Sequence, residues 1–166
     1  MNKAYLGLGS NIEPRLEFLK TAAQKINQNS QIKIKKESSV YLTKPYGYLE
    51  QEDFLNAVLL IETSLKPKKL LDTLLNVEKE MGRERKIEWG PRKIDIDILF
   101  YDNIDYQSSD LIIPHPEIEK RAFVLIPLLE ISEKELSLKG KKLTYWLEQL
   151  DYEEKVEIYS AFPEYN

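Results

Sequence analysis

The sequence predicts an α+β fold with a mainly antiparallel sheet, and three observations carry the prediction. Segments of strand character and segments of helical period follow one another in the order β-α-β-β-α-β. Glycine and proline punctuate the junctions, at Gly7-Leu8-Gly9, at Pro45 to Gly47, at Pro67 and at Gly82. The chain of 166 residues, 42% hydrophobic and 31% charged, has the size and composition of one globular domain with a sizeable core. This order is the ferredoxin-like split βαβ arrangement, with helices on one face of the sheet and extra helices at the C-terminal end. The expectation is a single domain over 1–166, with no repeat and no linker.

Lys3 to Gly9 reads as a short buried strand, and Gly7-x-Gly9-Ser10-Asn11 turns it into a helix with Pro14 near the first turn. Leu16, Leu19, Ala23 and Ile26 share the apolar face of that helix. Ile32 to Tyr41 alternates as a second strand, and Phe54 to Thr63, rich in Val, Leu and Ile, is a third. Between them Thr43 to Tyr48 is a loop, because Pro45 and Gly47 interrupt any regular run. Pro67 sits where the next helix begins, and Leu70, Leu74, Val77 and Met81 recur at helical spacing until Gly82 stops it. A basic loop and an apolar strand with two aspartates follow. Beyond Asn103 a polar stretch leads to Leu111-Ile112-Ile113-Pro114-His115-Pro116, then to an apolar helix around Phe123 to Ile131 and an amphipathic one from Leu143 to Leu150.

With 24 Lys+Arg against 28 Asp+Glu the net charge is −4, which argues against a general nucleic-acid binder. Segment 83–93 is a local exception, since Arg83, Arg85, Lys86, Arg92 and Lys93 outnumber Glu84 and Glu88. An acidic chain with one concentrated basic loop suits a small anionic ligand. The chain has no cysteine, so disulfides, thiolate metal sites and thiol catalysis are excluded. Its start lacks a basic-then-apolar signal pattern, and its longest apolar run, Ala122 to Leu129, contains Pro127 and is far short of a membrane span. The cytoplasm is the expected location, with neither membrane nor nucleic acid as partner.

The segment richest in chemistry is Trp89-Gly90-Pro91-Arg92-Lys93-Ile94-Asp95-Ile96-Asp97-Ile98-Leu99-Phe100. Strand alternation puts Asp95 and Asp97 on one face and Ile94, Ile96 and Ile98 on the other. Like charges side by side repel unless a cation lies between them. One divalent ion or a pair of them answers that need, and Arg92 just upstream suits the oxyanions of a metal-bound phosphate. D-x-D alone equally fits a solvated strand face; the flanking isoleucines and the neighbouring arginines favour a metal–phosphate site. Arg83, Arg85 and Arg92 around a Gly-Pro turn offer rigid donor forks for phosphate oxygens.

His115, the single histidine, is held between two prolines, where it is either structural or a hydrogen-bonding group toward a ligand. Phe54 and Asn56 share a strand face, and Phe123 opens a helix after Arg121. These aromatics suit a plain core, but a flat heterocycle stacked on a ring and bonded to Asn56 would satisfy the amide as well. Gly7-x-Gly9-Ser10-Asn11 lacks the third glycine and the acidic residue of a dinucleotide fingerprint and reads as a tight strand-to-helix turn. No Walker A lysine, kinase signature or G-x-S-x-G elbow is present.

Five segments in order, at compatible spacing, carry a resemblance that spans most of the chain. They are Gly9-Ser10-Asn11; Thr43-x-Pro45-x-Gly47 with Gln51-x-x-Phe54-x-Asn56; Glu78-x-x-x-Gly82-Arg83-x-Arg85; Gly90-Pro91-Arg92-x-x-Asp95-x-Asp97-Ile98-Leu99; and Pro114-His115-Pro116 with Arg121-x-Phe123-Val124-Leu125. Together they resemble the 6-hydroxymethyl-7,8-dihydropterin pyrophosphokinase family of folate biosynthesis. The resemblance implies transfer of the terminal diphosphate of ATP to the hydroxymethyl group of a reduced pterin, with release of AMP. It implies two Mg²⁺ ions on Asp95 and Asp97, with Arg83 and Arg92 assisting transfer. Nucleotide contacts carry over to Glu78, Arg85, Trp89, Ile98, His115 and Arg121. The pterin is implied to lie between Phe54 and Phe123, with Thr43, Tyr46 and Asn56 reading its polar edge. A monomer acting on ATP and the pterin is expected.

Leu75, Asp110 and Ile112 fall where some members place polar or basic ligand-facing groups, and Pro116 where some have an aromatic. Two rival readings differ in what they require. An RNA-binding module of the same fold needs a basic sheet with exposed aromatics, which the overall acidity opposes. A two-metal nuclease or nucleotidyltransferase usually needs a further carboxylate near the metals.

Overall fold

The structure, a computed structural model, describes residues 1–45, 50–82, 90–151 and 155–166. In chain order it contains β1 (Asn2–Ser10), α1 (Arg15–Gln28), β2 (Ile32–Glu37), β3 (Val40–Thr43), β4 (Phe54–Thr63), α2 (Pro67–Glu80) and β5 (Asp95–Tyr101). There follow the short strands β6 (Tyr106–Gln107) and β7 (Ile112–Ile113), a 3₁₀ turn at Ile118–Lys120 and α3 (Ala122–Ile131). The chain then forms β8 (Ser137–Leu138), β9 (Lys141–Lys142), α4 (Leu143–Glu148) and β10 (Val156–Ser160). The main sheet runs β10-β3-β4-β1-β5, with β2 also on β4, and each of these pairings is antiparallel. The ferredoxin-like core is therefore the one the sequence predicts. Pro67 opens α2, and Gly82, in the left-handed region at φ 78°, ends it.

Besides the short β6–β7 and β8–β9 pairs, which form where the sequence predicts no strand, two elements differ from the prediction. The run Ile32 to Tyr41 is two strands, because Ser38 intrudes on the ladder: its N–H donates to the Val58 carbonyl at 2.9 Å, while its Oγ accepts the Val58 N–H at 2.8 Å. A side-chain oxygen thus stands where a backbone carbonyl would continue the pairing. The other difference is β10, an added edge strand on β3 whose side chains are mostly exposed.

The helices divide between the faces of the sheet. Leu19, Ala23 and Ile26 of α1 and Leu70 and Leu74 of α2 pack on Leu6, Leu8, Leu55, Leu59, Ile96 and Ile98. The two core helices share a face, as expected. On the other face, Leu125, Leu128 and Ile131 of α3 and Leu143 of α4 cover Tyr5, Val58, Leu60, Leu99 and Phe100. Each buried leucine or isoleucine contributes roughly 2 kcal/mol of transfer free energy to this two-sided core.

Glu130 ties α3 to the sheet. Its carboxylate accepts the Ser39 N–H at 3.0 Å, the Ser39 hydroxyl at 2.8 Å and the Tyr41 hydroxyl at 2.5 Å. Burial favours its neutral form, but these donors bring its pKa below the ordinary carboxylate value. Burial and the same carboxylate push the Tyr41 hydroxyl above the usual tyrosine range.

Candidate active site

α3 and α4 leave one end of their sheet face to polar residues, and strand register sets these out. Tyr41 pairs with Asn56, Asn56 with Gly9, and Gly9 with Asp95, so β3, β4, β1 and β5 each give one residue to a single row. The adjoining row is Val58, Gly7 and Asp97, and Thr43 stands opposite Phe54. Residues directly opposed in antiparallel strands share a face. Thr43, Phe54, Asn56, Asp95 and Asp97 are therefore brought to one face, with two glycines between the amide and the aspartates. Asn56 and Thr43 are buried, and Asn56 Nδ2 donates to Thr43 Oγ1 at 2.6 Å. That bond orients the amide.

Arg92 Nη1 donates to Asp95 Oδ2 at 2.9 Å, with both side chains about four-fifths buried. The guanidinium thereby answers part of the repulsion between the aspartates. The turn that carries Arg92 is clamped by Asn11, whose Oδ1 accepts the Arg92 N–H at 2.8 Å and whose N–H donates to the Arg92 carbonyl at 3.2 Å. Asn11 Nδ2 also donates to Gln51 Oε1 at 2.7 Å and to the Glu52 carbonyl at 3.2 Å. One amide thus joins the arginine turn to the segment that leads into β4. The sequence assigns Asn11 no such role; its signal was an asparagine, with donor and acceptor on one side chain, at a strand-to-helix turn. An open cavity of about 700 Å³ adjoins this clamp, lined in part by Asn11, Gln51 and Pro91.

The remaining predicted residues fall on several sides of β5. Glu78, buried on α2, accepts the Ile96 N–H at 3.1 Å and so covers a donor on the strand's outer edge. Ile98 packs into the core under α1 and α2, on the reverse of the aspartate face, so its side chain is not brought to the row. His115 donates its N–H to the Leu99 carbonyl at 2.9 Å, and its Nδ1 accepts the Glu117 N–H at 3.1 Å. The neutral ring therefore carries its proton on Nε2. Burial, and after it the Arg121 charge, hold the His115 pKa below the ordinary histidine value, with Asp95 and Glu117 opposing. At neutral pH this imidazole is an uncharged donor.

Arg121 is buried, with its Cζ 5.7 Å from the centroid of the Phe123 ring, so these two mark the start of α3 as a cation–aromatic pair. Tyr46, Arg83, Arg85 and Trp89 lie outside the described residues. Leu75 and Ile112 are exposed, and Asp110 is ion-paired with Lys68. Among the described residues no group of three or more His, Asp or Glu side chains is placed to hold a metal. A pair of carboxylates is nevertheless a donor set that fits Mg²⁺, which takes one or two carboxylates and fills its shell with phosphate and water oxygens.

An antiparallel α+β sheet that sets a D-x-D strand, a carboxylate-bound arginine at its start and a buried amide on one face suits phosphoryl transfer. A sequence model of the 7,8-dihydro-6-hydroxymethylpterin-pyrophosphokinase (HPPK) family matches residues 5–133, and the chain belongs to that family. It is 43% identical over 133 residues to the 2-amino-4-hydroxy-6-hydroxymethyldihydropteridine pyrophosphokinase of Bacillus subtilis, covering 80% of each chain. Against the Aquifex aeolicus enzyme of the same name it is 46% identical over 131 residues, covering 79% of this chain and 81% of that one. Its fold is that of wild-type Plasmodium falciparum HPPK-DHPS crystallised with pterin and p-hydroxybenzoate, at a TM-score of 0.71 and 16% identity, over 89% of this chain and 42% of the other. This chain therefore spans less than half the length of that protein.

Proposed function

We propose that this chain, acting as one domain and a monomer, transfers the diphosphate of ATP to the hydroxymethyl group of 6-hydroxymethyl-7,8-dihydropterin. The observation that supports this most directly is the row Asn56–Gly9–Asp95, which places an amide able to read a heterocycle and a carboxylate suited to a metal-bound phosphate on one face. In the reaction the acceptor oxygen forms a bond to the β-phosphorus as the bond between that phosphorus and the oxygen bridging to the α-phosphate breaks. AMP leaves with the bridging oxygen, and the hydroxyl proton passes to solvent.

Phe54 and Phe123 would hold the pterin ring, and Thr43, Asn56 and Tyr46 its polar edge. This orientation supplies the entropic part of the acceleration. Asp95 and Asp97 would hold Mg²⁺, two ions by the family resemblance; when bound, the metal neutralises phosphate charge and lowers the pKa of a nearby hydroxyl. Arg92 rests on Asp95 in the chain alone and presents a planar fork to phosphate oxygens; Arg83 is assigned to the same task. Arg85, Trp89, Glu78, His115 and Arg121 are assigned to the nucleotide, His115 through its Nε2–H. Ile98 joins them through its backbone, since its side chain is committed to the core. Among the described residues no helix is long and apolar enough to cross a membrane, and the proposed setting is the cytoplasm.

The test is product identity. Incubation with ATP, Mg²⁺ and hydroxymethyl-dihydropterin yields AMP, and omission of either the metal or the pterin stops its release. Formation of ADP, or AMP formation that ignores the pterin, would overturn the assignment.

A further inference from the structure

Gly9 lies inside β1, paired on one side with Asn56 and on the other with Asp95. An interior glycine weakens a strand, so its presence calls for a reason, commonly the close approach of another group. Conformation is not that reason, because Gly9, unlike Gly82 and Gly140, does not have a positive φ. Contact is. A Cβ at Gly9 would stand 2.8 Å from Asn56 Oδ1 and 3.7 Å from Phe54 Cδ1. The first distance is shorter than carbon and oxygen tolerate without bonding.

The amide has little freedom to yield, since Asn56 is 8% exposed and its Nδ2 is held by Thr43 Oγ1 at 2.6 Å. Gly7, two residues earlier on the same face, differs: the nearest atoms to a Cβ there would be Leu99 side-chain carbons at 3.5 Å, an ordinary contact.

We propose that Gly9 is a specificity-determining residue for the acceptor, because its missing side chain lets the Asn56 amide lie over β1 with Oδ1 above the floor between Asn56 and Asp95. In that position Oδ1 is offered to a ring N–H. This rests on the acceptor role proposed above for Asn56. A methyl at Gly9 forces the amide off Thr43, whereas the residues assigned to the nucleotide keep their places.

The test compares Gly9→Ala, Asn56→Ala and the double variant, measuring acceptor KM, kcat, and the Kd of a non-hydrolysable ATP analogue with Mg²⁺. Gly9→Ala raises acceptor KM by about tenfold or more, while the nucleotide Kd stays within about twofold. In the Asn56→Ala background the same substitution adds less than about twofold, because the atom it would strike is gone. An unchanged acceptor KM in Gly9→Ala, an equal penalty in both backgrounds, or a matching loss of nucleotide affinity overturns the proposal.

Should Gly9→Ala not fold, the double variant decides. Recovery of the fold with the acceptor KM of Asn56→Ala supports the proposal, and no recovery overturns it. Asn56→Ala with a wild-type acceptor KM removes the acceptor reading of β4 and the Gly9 proposal together. Asn56→Ala with a raised KM beside an unaffected Gly9→Ala removes the Gly9 proposal alone.

Discussion

On the face of the sheet backed by α1 and α2, strands β1, β4 and β5 present Leu6, Leu8, Leu55, Leu59, Ile96 and Ile98, all buried. On the reverse, interleaved with these same residues, the strands present Gly7, Gly9, Asn56, Asp95 and Asp97. The apolar layer is thus covalently continuous with the polar row, one residue out of phase with it. A site built on such strands inherits the rigidity of the core behind it, which positions groups more tightly than loops do. The contrast also predicts a division of effects: truncating a side chain on the polar face should alter turnover and spare stability, and truncating one on the apolar face the reverse.

The largest effect falls on the polar face. Asp97→Ala lowers kcat by on the order of a hundred- to a thousandfold, since it removes one of the two carboxylates proposed to hold Mg²⁺ at the phosphates. The fold persists, because Asp97 lies outside the apolar core on both faces of the sheet. Steady-state kinetics and a melting curve check both halves; full activity would remove Asp97 from the metal site. Next in size is Leu59→Ala on the apolar face, where the residue is fully buried. It costs about 2–5 kcal/mol of unfolding free energy by urea titration, while AMP release per folded molecule is kept. Loss of turnover at unchanged stability would break the division.

The smallest effect is a pH dependence at His115. Its folded pKa lies below the ordinary 6.5 because burial disfavours the charged ring. Between the folded and unfolded values the unfolded chain binds more protons, so stability rises with pH across that window. The His115 contribution is complete above about pH 6.5 and is lost as the pH falls below it, with a slope of at most about 1.4 kcal/mol per unit. Urea titrations of wild type and His115→Gln at a series of pH values isolate it: the variant lacks this acid-side slope. Identical slopes would show that the ring is not held neutral.

Much of this was legible in the sequence, because period-two alternation is a local property. Asp95, Asp97 and the reversed isoleucines of β5 needed only their own strand, and Phe54 with Asn56 likewise. The row Asn56–Gly9–Asp95 was not legible, since register between strands separated by dozens of residues is a property of the folded sheet. The same limit hid the steric need at Gly9, which depends on a side chain in another strand. The split at Ser38 escaped because Ile32, Ile34 and Val40 keep one parity across it, whereas the bond from the Val58 N–H to the Ser38 hydroxyl depends on another strand. β10 escaped because Val156 to Ser160 is short and mostly exposed, so that pairing with β3 alone makes it a strand.

That last strand also supports the site from a distance. β10 lies beyond residues 5–133, the part of the chain shared with the family model, yet it is hydrogen-bonded along β3, with Val156 opposite Thr43 and Ile158 opposite Tyr41. The strand that holds the Asn56 amide is therefore buttressed from outside the common catalytic frame. Without β10 the outer edge of β3, which carries Thr43, would be left unpaired. The tail therefore supports the Thr43–Asn56 hydrogen bond from outside the residues that the family model matches.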